Sequence, residues 1–287
     1  SSDNQGAGVS GADALQIDVD GDGLVDGSQL TITGSGSTVV APHTLVSAAG
    51  TNARLYVEDG GSLTTDNLTV STWLSIDEGG ASSSGSGDGG YVKVAGAGSL
   101  VTVNDEMGVG SAGYNARLAV LDGGRVSSGG NLHVGELASS TGNSVRVSGS
   151  SGDISSTLVV GGDLAVGGTA SNSGGHGNVS VEDGGTLSVT GNTTIYSGST
   201  LTLTGAASTL ELDGSFTNTG TFDWQSGGVK LSGASASWDK ESSNFTLGNT
   251  TTQSLTLEEG AELHNERGYV GPSSSSSGGS GTATISG

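Results

Sequence analysis

The sequence predicts an all-β protein, a right-handed parallel β-helix (β-solenoid) of about ten coils. Three observations carry that prediction. Apolar and polar residues alternate in short runs such as Leu201-Thr202-Leu203 and Val145-Arg146-Val147, the period of a strand with one buried side. One phrase recurs with small changes: ARLYVEDGGSLTTDNLTV at 53–70, ARLAVLDGGRVSSGGNLHVG at 116–135 and GNVSVEDGGTLSVTGNTTI at 177–195. Glycine accounts for 55 of 287 residues against 2 prolines and gathers where the runs break, as residues free to take positive φ do in tight corners.

The elements follow in order. Taking the apolar-x-apolar pair as the anchor, units begin at Leu30, Leu55, Leu74, Val92, Leu118, Val145, Val179, Leu201, Val229, Leu255 and Ala283, at intervals of 18 to 34 residues. The Leu74 unit is the weakest, being short for a full turn. Within a unit a first strand (Leu118, Val120) meets an acid-Gly corner (Asp122-Gly123-Gly124). A second apolar position follows (Val126), then a third strand ending in glycine (Leu132-His133-Val134-Gly135). A second corner type replaces acid-Gly-Gly with a Gly-x-x-Ser-like turn, as in ITGSGSTVV (32–40), VAGAGSLVTV (94–103) and LSGASASW (231–238).

Three short strands per unit cannot bury their own apolar side. Stacked at ~4.8 Å, each strand pairs with its copies above and below, and ten steps make a rod of roughly 50 Å. A sandwich or up-and-down barrel is the competing all-β reading, but neither gives a reason for the phrase to recur. Extra residues follow the third strand's apolar-Gly step, after Val109-Gly110, Val134-Gly135, Val166-Gly167, Leu247-Gly248 and Val270-Gly271, so these loops should line one edge of the rod. They read as solvated spacer, with a binding edge as the alternative.

Composition narrows function. With 29 acids against 8 bases, a formal charge of −21, the field repels nucleic acid and anionic membranes. No cysteine is present, which removes disulfides and thiolate metal sites. No apolar run approaches the roughly 18 residues of a membrane span. The first ten residues, SSDNQGAGVS, have neither an initiating Met nor a signal-peptide core and read as a processed chain or a fragment. The composition points to an extracellular bacterial setting.

One motif lies outside the repeat. In DVDGDGLVDGSQL (18–30), Asp18, Asp20, Asp22, Leu24 (through its carbonyl) and Asp26 take positions 1, 3, 5, 7 and 9 of an EF-hand-like loop, with Gly23 at the sharp turn. This spacing wraps hard oxygen ligands around one structural Ca²⁺. Gln29 stands at position 12 in place of the bidentate acid. The motif resembles the calcium loops of dockerins and of thrombospondin type 3 repeats. It divides the chain into an N-terminal segment, 1–27, and a solenoid, 28–287.

Other candidates weigh less. Asp59, Asp122, Asp183 and Glu259 recur at one repeat position, where turn formation before glycine is favoured over a cation-holding column. The four histidines, His43, His133, His176 and His264, occupy unrelated repeat positions, and no nucleophile elbow stands out. Arg54 and Arg117 share a position and read as a structural ladder. Threonine ranks such as Thr200, Thr202 and Thr204 do not continue from coil to coil, which argues against an ice-binding surface.

The alternation of SGAGS-like corners, acid-Gly-Gly corners and N-L-x-V-G strands resembles the passenger β-helix repeats of bacterial autotransporters and related secreted surface proteins, over about residues 28–287. The resemblance implies a non-enzymatic cell-surface module serving adhesion, self-association or a stalk. The partners expected are another copy, head-to-tail or lateral, and a surface glycan or protein. Head-to-tail pairing is expected from GTATISG (281–287), which matches the opening strand of a coil, with a fragment of a longer passenger as the alternative. A polysaccharide-binding or polysaccharide-cleaving β-helix is the alternative function.

Overall fold

The computed structural model describes residues 9–10, 14–17, 28–46, 53–70, 89–249, 251–272 and 279–287. Among them there is no helix, and nearly all strand pairings are parallel. The chain winds as a β-solenoid with three faces. The first face stacks Gln29–Thr33, Arg54–Glu58, Tyr91–Ala95, Arg117–Leu121, Asn143–Ser148, Gly177–Glu182, Thr200–Leu203 and Thr221–Trp224. The second runs without a break through ten rungs, from 38–41 and 62–65 through Leu100–Val103, Arg125–Ser128, Thr157–Val160, Thr186–Val189, Thr209–Leu212, Gly227–Ser232 and Thr252–Glu258 to Ser280–Ser286. The third includes 43–46, 67–70, Met107–Val109, Leu132–Val134, Leu164–Val166, Thr193–Ile195 and Ser215–Asn218. Its first rung is Ala14–Ile17, paired parallel with 43–46, so the solenoid reaches into the segment 1–27.

Strand alternation makes the core. On the first face Leu55, Val92, Leu118, Val145, Val179 and Leu201 stand one above another, each at most 1% exposed. Each inward side chain is covered by its copies in the neighbouring coils and contributes roughly 1.5–3 kcal/mol by leaving water. Arg54–Glu58 pairs directly with Tyr91–Ala95, so the face has no rung between them. Leu74, expected to open a unit, lies outside the described residues.

The anchors Val229, Leu255 and Ala283 depart from the expected column. They stack on Leu210 of the second face, whereas Leu201 of the first face is followed by Phe222. After Leu203 the chain lays down an additional first-face strand, Thr221–Trp224, and turns through Gln225 and Ser226 directly onto the second face. The repeat then resumes one face further round the rod. Phe216, Phe222, Trp224, Trp238 and Phe245 fill this junction, with ring centroids 5.1–6.3 Å apart.

Candidate functional site

Of the calcium-loop residues, Asp18, Asp20, Asp22, Leu24 and Asp26 lie outside the described residues. Gln29, the loop's twelfth position, opens the first strand of the first face, and its Nε2 donates to Thr31 Oγ1 at 3.0 Å.

Three of the recurrent acids, Asp59, Asp122 and Asp183, occupy the corner between first and second faces, whereas Glu259 follows the second-face strand Thr252–Glu258. Asp59, Asp122 and Asp183 take φ of 51–52°, the left-handed region that Asp tolerates better than most residues, and a positive-φ glycine follows each. The next glycine is fixed by close approach: a Cβ on Gly61, Gly124 or Gly185 would stand 2.3–2.4 Å from the carbonyl oxygen of Ile32, Val94 or Val147 in the preceding coil. The register puts a glycine between successive acids: Gly34, Asp59, Gly96, Asp122, Gly149, Asp183, Gly205. Carboxylates therefore recur every second coil, roughly 10 Å apart instead of ~5 Å, which weakens their repulsion. The glycine-type coils brace their acidic neighbours. Buried Ser99, Ser156 and Ser208 accept the amides of Gly60, Gly123 and Gly184 at 3.0–3.1 Å.

A second ladder follows the corner between second and third faces. Asn67 Oδ1 accepts Glu106 N at 3.3 Å, Asn131 Nδ2 donates to Glu106 Oε1 at 3.1 Å, and Asn131 Oδ1 accepts Asp163 N at 2.9 Å. Asp163 Oδ1 accepts Asn192 N at 2.7 Å, and Asn192 Oδ1 accepts Ser215 N at 3.0 Å. Amide and acid alternate here too. Nothing in the sequence reading anticipated this column, although the recurring residue just before each third strand was its signal.

The corner after the third face carries the long loops, as expected for 110–116, 135–142 and 167–176. They are not independent spacers. Glu136 N donates to Gly110 O (3.2 Å), Leu137 N to Ser111 O (3.2 Å) and Gly175 N to Gly135 O (3.0 Å), so each loop is hydrogen-bonded to the one before it. Buried Asn143 and Ser140 tie them to the coil: Asn143 Oδ1 accepts Ala116 N, Asn143 Nδ2 donates to Ser140 Oγ, and Ser140 Oγ donates to Gly113 O.

Beside these loops, the third face holds a groove of about 330 Å³, near the lower end of ligand pockets. Along its outward column Leu45, Thr69, Gly108 and His133 are successive neighbours. Gly108 has no side chain to fill its place, and a Cβ there would stand 2.2 Å from Ser111 Oγ. Leu45 and Met107 supply an apolar floor; His43, Asn67, Glu106, His133 and Glu136 supply the polar lining. Asn67 Nδ2 donates to His43 Nδ1 at 3.2 Å. Buried His133 Nε2 has no hydrogen-bond partner among the described residues, the kind of atom a polar ligand or a water satisfies. The structure thus brings together two histidines that read as unrelated, because both belong to the third face. Among the described residues no three His, Asp or Glu side chains are placed to hold a metal ion. No family model, curated protein or solved structure matches the chain.

Proposed function

We propose that the chain is a non-enzymatic structural and adhesive β-solenoid module of a bacterial surface protein or fibre, working outside the cell. What carries this reading is the interlocking of successive coils beyond their backbone pairing, by the serine braces, the Asn67-to-Ser215 column and the stacked loops. Such a rod holds surface features at fixed spacing and resists bending. Partners on this reading are other copies of the chain and glycans or proteins of a neighbouring surface. Calcium at Asp18, Asp20, Asp22, Leu24 and Asp26 belongs to the same proposal, as a clamp on the N-terminal segment, and predicts a calcium-dependent rise in melting temperature that Asp20→Ala abolishes. Solution scattering tests the rod: an elongated particle with a length of roughly 50 Å is expected. A compact, isotropic particle overturns it.

The groove favours a second reading, a polysaccharide-binding or polysaccharide-cleaving β-helix. Release of reducing ends from a polysaccharide, lost in His133→Ala, would replace the structural reading with this one.

A further inference from the structure

The outward side of the first face is unevenly charged. Three columns of side chains run along it. In the first, Gln29, Arg54, Tyr91, Arg117, Ser144, Asn178 and Thr200 are successive neighbours. In the second, Tyr56, Lys93, Ala119 and Arg146 follow one another. The third carries Glu58 and Glu182. Cations of the middle column are paired with the third: Lys93 Nζ lies 2.7 Å from Glu58 Oε1, and Arg146 is bonded to Glu182. Arg54 and Arg117 are different. Both are exposed, and neither has an ion-pair or hydrogen-bonding partner for its guanidinium among the described residues.

Between these two arginines stands half-buried Tyr91, set edge-to-face against Tyr56 at 5.9 Å and 80°. Lys93 Nζ sits 6.0 Å from the Tyr56 ring centre. Neutral side chains border the patch on both sides along the column, Gln29 below and Ser144, Asn178 and Thr200 above. A chain of charge −21 thus carries one flat area where two uncompensated guanidinium groups, two coils or roughly 10 Å apart, flank a pair of tyrosine rings.

We propose that this patch binds acidic oligosaccharides of the uronate class, with Arg54 and Arg117 each taking a ring carboxylate and Tyr91 and Tyr56 bordering the sugar between them. Guanidinium groups recognise carboxylates through paired, planar hydrogen bonds, and a free fork presented at the surface is suited to that geometry. A tyrosine offers an apolar ring and a polar tip at small entropic cost, which suits the mixed C–H and hydroxyl surface of a pyranose. A uronate polymer presents carboxylates at fixed intervals on stiff rings, matching fixed arginines on a rigid sheet. Flexible acidic peptides lose that advantage on ordering. Dense polyanions such as nucleic acid meet the repulsion of the Asp59, Asp122 and Asp183 corner along one edge of the face. This site rests on the reading of the chain as an adhesive module and names its ligand class; the rod itself does not depend on it.

The test is calorimetric titration of the whole chain with trigalacturonate and triglucuronate, and with the methyl ester of each. Ionic strength near 0.1 M confines the remote acids to a Debye length of about 10 Å. Saturable binding of at least one acid, with its ester at least about tenfold weaker, is expected. Arg54→Gln and Arg117→Gln should each weaken binding about tenfold, and the double variant should abolish it. Arg267→Gln, in a C-terminal strand, should leave it unchanged. Tyr91→Phe, which keeps the ring, should bind within about threefold of the parent. Equal binding of acid and ester, no binding of either acid, or full binding by the double variant each overturns the proposal. If the double variant instead loses self-association in sedimentation while saccharides never bind, the patch belongs to a second copy of the chain. Scattering on the same samples reports the rod separately, so loss of the site and loss of the rod are distinguished.

Discussion

Between Arg54 and Leu203, strands of the Leu-x-Val type that precede an acid-Gly or Gly-x-x-Ser corner all fall on the first face. From Val229 onward strands of the same type fall on the second. The two stretches differ in what separates one unit from the next. In the N-terminal stretch each first-face strand is followed by a full corner with its own serine brace or acid. At the junction, Thr221–Trp224 is followed only by Gln225 and Ser226 before Gly227 turns with φ 92°. Ser226 Oγ still accepts the Gly205 amide at 2.7 Å, so the brace survives although the corner motif is missing. The angular position of a strand is therefore set by the rung beneath it and by corner length, while the motif decides only which hydrogen bonds close the corner.

Packing differs in step. The N-terminal coils stack Leu and Val in columns of like size, whereas all three phenylalanines of the chain, Phe216, Phe222 and Phe245, meet at the junction with Trp224 and Trp238. Where strands change faces the aliphatic columns lose their continuity, and large rings fill the space. The most damaging way to probe this difference is Trp238→Ala, in a side chain 5% exposed. A loss of about 3–5 kcal/mol is expected in urea unfolding, with limited proteolysis cutting first in residues 227–286. Val147→Ala, one aliphatic rung in the N-terminal columns, should cost less, and an equal effect would erase the distinction.

The corners give the next contrast. Gly124→Ala places a Cβ 2.4 Å from the Val94 carbonyl and should cost about 1–3 kcal/mol or more. The corresponding residue after the junction is natively Ala261, so Ala261→Gly should shift the midpoint little. Ser156→Ala leaves the Gly123 amide without its acceptor in a buried corner, for an expected loss of about 1–3 kcal/mol. Asn192→Asp breaks the amide–acid alternation beside Asp163. It should cost on the order of 0.5–1 kcal/mol at neutral pH, recovered as the solution is acidified through the carboxylate range.

The smallest effect is alkaline. The hydrogen bond that Lys93 donates to Glu58 raises the Lys93 pKa above its ordinary value, and burial does the same for Tyr91. Both groups are thus favoured in their protonated forms by folding. Their contribution is complete below about pH 10 and is lost as pH rises through the folded values. The pair is partly exposed, so its contribution is under about 1 kcal/mol. An alkaline melting series should show Lys93→Met flattening the decline, with Lys230→Met, beyond the junction and likewise raised by its bond to Glu258, giving a similar small change.

Much of this architecture is legible in the residues. Leu30, Leu55, Val92, Leu118, Val145, Val179 and Leu201 do share one column, and the loops after Val109-Gly110, Val134-Gly135 and Val166-Gly167 do follow the third face. The alternation of Asp and Gly at the first corner was written in the order of the units, yet it acquires meaning only once the register makes those residues neighbours.

What the sequence alone determined is the unit: period-2 strands, corners that demand positive φ, and recurrence that leaves stacking as the way to bury each coil. Those are local properties, set by side-chain sterics and by the backbone within a few residues. The tertiary structure decided which units lie over which. It moved Val229 to the second face, gathered His43 and His133 in one groove, and set Tyr91 between Arg54 and Arg117. Neighbours in this rod are separated by tens of residues of variable loop, so their pairing is chosen by the hydrogen bonds and packing of whole coils, not by any short stretch of chain.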